Sequence, residues 1–236
     1  MMNKKLILIP LSALILGAIT WQTLPSAKAN ANEIARDSVN ASNAVLGVGI
    51  EHVKITSENN KVAHFYRDTV NLEEKSENYK PDGTLENKVI VTESGKRVIS
   101  IGNNNGKLES FTWLLPENIA NENKELISKS LLKEIKAELS FKKWIDDSGQ
   151  FINDQNTKKI KSVEGSKITK VSIDANTDLP IKKEMFEVVG GKEILVSTEE
   201  YTIEKNDLKA SIFNVDKTNI KEISAPVDKE NTQKGN

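Results

Sequence analysis

Short alternating strands joined by tight turns leave this chain few folds to adopt. After an Asn59-Asn60 turn, Val62, His64, Tyr66, Val70 and Leu72 share one parity, the mark of a half-buried strand. Val89 and Val91 share a face, and Ser94-Gly95 turns the chain into Arg97, Ile99 and Ile101. Asn103-Asn104-Asn105-Gly106 turns it again, into Glu109, Phe111, Trp113 and Leu115. Connections this short cannot make parallel crossovers, so these neighbours must pair antiparallel. Val48 and Ile50 lie on the face opposite Val53 and Ile55, which predicts a bulge or bend near Glu51 and His52. The charged stretch from Glu73 to Glu86 carries Pro81-Asp82-Gly83 and reads as a turn-bearing connection.

Pro116 ends this meander, and Asn118 is placed to cap a helix. Ile119, Leu126, Ile127, Leu131, Leu132, Ile135 and Leu139 are spaced for one helical face, so a long helix is expected over Asn118–Leu139. Phe141 and Trp144 extend its apolar character, and Asp146-Asp147-Ser148-Gly149 breaks it. Residues Gln150 to Lys159 are polar and suggest no element. A second meander follows through Ile168, Val171 and Ile173, with Pro180 opening the next strand. Gly190-Gly191 marks a hairpin that returns through Ile194 to Ile203. Near the start, Ile34, Ala35 and Val39 give Asn32–Ala44 a weak helical face. The expected fold class is therefore α+β: one large antiparallel sheet covered on its apolar face by an N-terminal helix and a long central helix.

The first residues have the three-part form of an export signal. Lys4 and Lys5 precede an apolar run from Leu6 to Ile19, and Ala27-Lys28-Ala29 supplies small residues for cleavage between Ala29 and Asn30. The run is short of the roughly 20 residues a membrane span needs, so no stable membrane insertion is expected after cleavage. Residues 1–29 then form the leader, 30–223 a single domain and 224–236 a polar tail with only Ala225 and Val227 as apolar residues. The chain has no cysteine, which excludes disulfides, thiolate metal sites and a lipid-modified cysteine. The leader carries Lys4, Lys5 and Lys28 and no acid, so its loss takes the formal charge from -1 to -4. Acid and base are interspersed, with no clustered basic face for nucleic acid.

No residue set announces catalysis. There are two histidines, His52 and His64, which the Asn59-Asn60 hairpin can bring together. No third ligand of fixed spacing accompanies them, so surface or core-edge histidines are expected rather than a metal site. No Gly-x-Ser-x-Gly elbow or glycine-rich phosphate loop occurs. The pairs Glu73-Glu74, Asp146-Asp147 and Glu199-Glu200 read as solvated surface, since strand neighbours point to opposite faces. Asp146, Asp147, Asn153, Asp154 and Asn156 are oxygen-rich but do not follow a calcium-loop spacing. The aromatics are more suggestive: Phe111 and Trp113 share a strand face just before the long helix, and Trp144 follows it. They suit either core or the lining of an apolar pocket under a helical lid.

The phrase Val171-Ser172-Ile173-Asp174, then Leu179-Pro180-Ile181-Lys182-Lys183-Glu184, a hairpin and a closing Ser211-Ile212-Phe213 resembles the C-terminal half of the LolA-like superfamily. That group holds bacterial lipoprotein carriers, RseB/MucB sensor proteins and mycobacterial glycolipid-binding lipoproteins. The resemblance covers roughly residues 168 to 213. It implies a half-barrel of antiparallel strands over a helical plug, an apolar cavity between them, and no enzyme or cofactor. An exported binding protein is the expectation, holding an acyl chain or lipoprotein between sheet and helices, with Phe111, Trp113, Leu131, Ile135 and Trp144 as lining. The alternative is an envelope sensor domain that contacts a protein partner without lipid.

Overall fold

The computed structural model describes residues 49–104, 106–140, 142–147, 157–204, 208–216 and 219–225. One sheet of twelve strands runs through them. The strands are β1 (Ile50–Ser57), β2 (Val62–Asp68), β3 (Glu73–Tyr79), β4 (Leu85–Thr92), β5 (Arg97–Asn104) and β6 (Lys107–Leu114), then β7 (Ile145–Asp146), β8 (Thr157–Glu164), β9 (Lys167–Asp174), β10 (Pro180–Val189), β11 (Lys192–Glu204) and β12 (Lys221–Glu222). Their order is β12-β6-β5-β4-β3-β2-β1-β11-β10-β9-β8-β7, so two meanders meet where β1 pairs antiparallel with β11. Two helices, α1 (Glu117–Ile127) and α2 (Leu131–Ser140), lie between the meanders in sequence.

This corrects the expected α+β half-barrel with an antiparallel sheet. The sheet is mixed, because β12 runs parallel to β6, with Lys221 opposite Phe111 and Glu222 opposite Thr112. It is also open: β12 and β7 end the order without pairing to each other. Strand outweighs helix by far. The expected N-terminal helix Asn32–Ala44 and the cleavage site Ala29/Asn30 lie outside the described residues.

The expected single helix Asn118–Leu139 is two. The break has a cause in the sheet. Glu51 on β1 accepts the Leu131 backbone N–H and the Ser130 hydroxyl, both at 2.6 Å. Ser130 in turn accepts the Lys133 N–H, as a residue before a helix does. Arg67 on β2, fully buried, donates from Nη1 to the Lys129 carbonyl at 3.0 Å. These bonds hold the chain at 128–130 in a non-helical path that the apolar spacing alone would carry through.

Cross-strand registers assign side chains to two faces. The helix face carries Val53, Ile55, Phe65, Val91, Val98 and Trp113, which pack against Ala120, Ile127, Leu131, Leu132 and Ile135. Further along, Ile160, Val171 and Ile173 pack against Leu139 and Trp144. The far face is covered only in part: the 3-10 turn Ala210–Phe213 lays Phe213 over Ile90 and Ile99. Ala225, from the expected tail, packs against the Trp113 cluster.

Three strand expectations are corrected. The charged stretch after Leu72 is the strand β3, buried at Glu74, Lys75, Ser76 and Glu77. Its buried charges have opposite charges beside them. Arg67 Nε donates to Glu74 at 2.8 Å and its Nη1 to Glu134 at 2.8 Å, while Lys88 meets Glu77 at 2.8 Å. Leu72 does not continue β2; it sits at φ 57° in the turn to β3. The bulge expected at Glu51 and His52 does not form, because β1 pairs with β2 without interruption from Ile50 to Thr56. Its apolar parity changes because both faces are buried, Ile50 under the Phe213 segment and Val53 under α2.

Candidate functional site

The five expected lining residues do not converge. Phe111 and Trp113 belong to the cluster around Val91, Val98 and Ile127. Leu131 and Ile135 belong to a second cluster with Val53, Phe65 and Leu179. Trp144 belongs to a third, against Ile160 and Val171, and donates its indole N–H to the Leu139 carbonyl. Leu131 is 1% exposed and Trp113 5%. Each side chain is packed by its own neighbours across the helix–sheet interface.

The far face holds a different constellation. Ladder register puts His52 opposite Tyr66, and His64 opposite both Lys54 and Glu77. The two histidines sit diagonally, with His52 Nε2 and His64 Nδ1 2.9 Å apart. His52 Nδ1 lies 3.2 Å from the Glu204 carboxylate of β11. The His52 ring stacks on Tyr66 with centroids 4.1 Å apart, and His64 meets the edge of Tyr79. Lys75 lies over the Tyr66 ring and 3.4 Å from Glu77. Burial lowers the pKa of both histidines, outweighing the carboxylates Glu204 and Glu77. Burial, helped by Glu77, pushes the Tyr66 hydroxyl up to about 12.

His52 Nε2 and His64 Nδ1 share one hydrogen bond whose donor depends on the tautomers. His52 Nδ1 is buried without a hydrogen-bond partner, although the Glu204 carboxylate lies close to it. The sequence showed the hairpin that unites the histidines. Glu204 enters from the far end of the second meander, and nothing local to either histidine signals it. Among the described residues no group of three or more His, Cys, Asp or Glu side chains is placed to hold a metal ion. The oxygen-rich loop is only partly described: Asp147 pairs with Lys161, and Asn153, Asp154 and Asn156 lie outside the described residues.

A second feature of the far face lies at the β8–β11 end. Val163 pairs with Ile168, Ile168 with Phe186 and Phe186 with Leu195. These four side chains form a continuous cross-strand row. Neither α1 nor α2 covers it. Val163 is 52% and Leu195 47% exposed, while Ile168 between them is buried. Lys170 lies 4.6 Å above the Phe186 ring and pairs with Glu193 at 2.7 Å. Beside the row, Val196 is the extra residue of a bulge in β11, and it too is exposed, as are Val189 and Ile194 at the hairpin tip. The run Ile194-Leu195-Val196 is the sequence signal for this surface, since three successive apolar residues cannot all face a core in a regular strand.

Neither a family model nor a curated protein matches this chain. Among solved structures, an uncharacterized conserved protein from Thermus thermophilus is similar, at 10% identity and a TM-score of 0.43, over 75% of this chain and 91% of that one. PNGF-II is similar at 13% identity and a TM-score of 0.30, over 75% of this chain and 32% of that one. The chain therefore spans about a third of PNGF-II. Both scores are too low to carry an argument. No helix among the described residues is long and apolar enough to cross a membrane.

Proposed function

We propose that this chain is an exported, non-catalytic binding protein of the cell envelope, and that it engages an apolar segment of a partner protein through the far face of β8–β11. The row Val163–Ile168–Phe186–Leu195 carries this reading. Single exposed apolar residues are ordinary, but an apolar cross-strand row that is exposed at both ends, at Val163 and Leu195, and flanked by charge has the form of an interaction surface. Lys170 and Glu193 supply such a polar border. The expected acyl-chain site between sheet and helices has less support, because its lining residues fall in three separately packed clusters. The leader supports export, and the resemblance to the LolA-like superfamily fits the sensor branch of that group better than its carriers.

A photo-crosslinking residue in place of Leu195, in the protein exported by its own host, tests the proposal. The expected product is one discrete protein adduct, lost when Val163→Asp is added. The control position is Val70, an isolated side chain 74% exposed. Equal adducts from positions 195 and 70, or a lipid adduct at 195, would overturn the reading.

A further inference from the structure

We propose that the β8–β11 face takes a second copy of this chain, in a twofold dimer whose axis runs along the strands between β9 and β10. The proposal rests on the surface reading above and names its partner. Ladder register fixes which side chains share the far face. Beside the apolar row Val163–Ile168–Phe186–Leu195 lie two more, Lys161–Lys170–Glu184–Thr198 and Lys159–Ser172–Lys182–Glu200. In these two rows β8 and β9 carry Lys159, Lys161 and Lys170 and no acid. On the other side, β10 and β11 carry Glu184 and Glu200, with Lys182 between them. The face is thus basic on one side and acidic on the other, with an apolar row crossing both.

A twofold axis makes an interface self-complementary: when residue i meets residue j, j meets i in return. An axis along the strands lays β8 of one copy over β11 of the other, and β9 over β10. Val163 then faces Leu195 of the second copy, and Ile168 faces Phe186. The two exposed ends of the apolar row cover each other. In the same arrangement Lys170 faces Glu184 and Lys159 faces Glu200, and each contact occurs twice. A twofold across the strands instead sets Lys161 against Lys161 and Glu184 against Glu184, so charge selects the first axis. Packed sheets keep their strands within about 30° of each other, which preserves this facing. Within one chain Lys170 already pairs with Glu193, and Lys182 with Glu184. These side chains reach the interface partly compensated, so closing it does not bury a bare charge. The face is small. Four strands about 4.8 Å apart and three rows about 7 Å apart give roughly 400 Å² per copy, the size of transient interfaces. The dimer is therefore weak and reversible.

Sedimentation equilibrium of the untagged protein, across about 1 µM to 1 mM, should show a reversible monomer–dimer equilibrium with a micromolar dissociation constant. Glu200→Lys sets a lysine against Lys159 twice in each dimer and should weaken association by about tenfold or more. Lys159→Glu should do the same. The double exchange, Glu200→Lys with Lys159→Glu, should restore it, which a merely structural role for either residue would not produce. Both side chains are exposed, so the variants keep the fold, and circular dichroism checks this. A monomer at every concentration, or a double exchange no tighter than the single variants, would overturn the proposal. The photo-crosslinker at position 195 separates it from the surface reading. An adduct of twice the chain mass supports both. An adduct with a different protein keeps the surface and overturns the second copy, and no adduct from position 195 overturns both.

Discussion

The Glu51 carboxylate on β1 accepts the backbone N–H of Leu131, the first residue of α2, at 2.6 Å. A sheet residue thereby caps a helix distant in sequence, and its charge sits at the positive end of the helix dipole. Glu51→Ala leaves the Leu131 N–H and the Ser130 hydroxyl proton without their acceptor. The expected loss is about 2 kcal/mol, the upper range for removal of a cap. Urea unfolding measures it, and Glu51→Gln, which keeps an acceptor, should cost less.

Arg67 joins sheet to helix through Glu74 and Glu134. Arg67→Met should cost about 3–5 kcal/mol at neutral pH, because it strands the buried Glu74 carboxylate. The cost should shrink on acidification. Burial already holds Glu74 above its ordinary pKa, outweighing Arg67, and its Oε1 has no hydrogen-bond partner. A carboxyl whose folded pKa exceeds its unfolded value binds more protons when folded. Its penalty is therefore absent below the unfolded value, about 4.3, and grows as pH rises through the folded one. Removing Arg67 raises the folded value further. Urea unfolding at pH 4.5 and 7.5 should show the variant's deficit larger at the higher pH.

Gly95 sits at φ 87° in the turn between β4 and β5, and a Cβ there would meet Lys124 N at 3.0 Å and the Ala120 carbonyl at 3.2 Å. Both are backbone atoms of α1, so the helix must move. Gly165 shares the positive φ, at 63°, but a Cβ there meets nothing within 4 Å. Gly95→Ala should lower stability by about 1–3 kcal/mol, the cost of a strained backbone, and clearly more than Gly165→Ala. Thermal unfolding of the pair separates strain from clash.

Surface and core should respond in opposite ways to the same chemistry. Leu195→Asp, on the exposed row, should change stability by no more than about 0.5 kcal/mol. Leu131→Asp buries a charge with no partner and should unfold a marginal domain. An unfolded Leu195→Asp would mean that the row is core.

Local periodicity carried much of this fold and little of its site. The turns at Asn59-Asn60, Ser94-Gly95 and Gly190-Gly191 were legible because turn chemistry is local. The strand β3 was not, because Glu74, Lys75 and Glu77 are buried by partners that only the sheet brings together, among them Arg67 and Lys88. The helix break at 128–130 was hidden for the same reason: Glu51 and Arg67 enforce it from outside the helix. The histidine contact was half legible, as a hairpin without its Glu204. Parity put Phe111 and Trp113 on one face, yet it cannot distinguish a pocket wall from packed core.

Native mass spectrometry of the mature protein purified from its host tests the central claim most directly, that binding takes place on the sheet surface and not between sheet and helices. The account predicts a polypeptide mass with no co-purifying acyl lipid, and no saturable uptake of a fluorescent fatty acid. A co-purifying acyl lipid, displaced by that fatty acid and lost in Phe111→Ala, would contradict it.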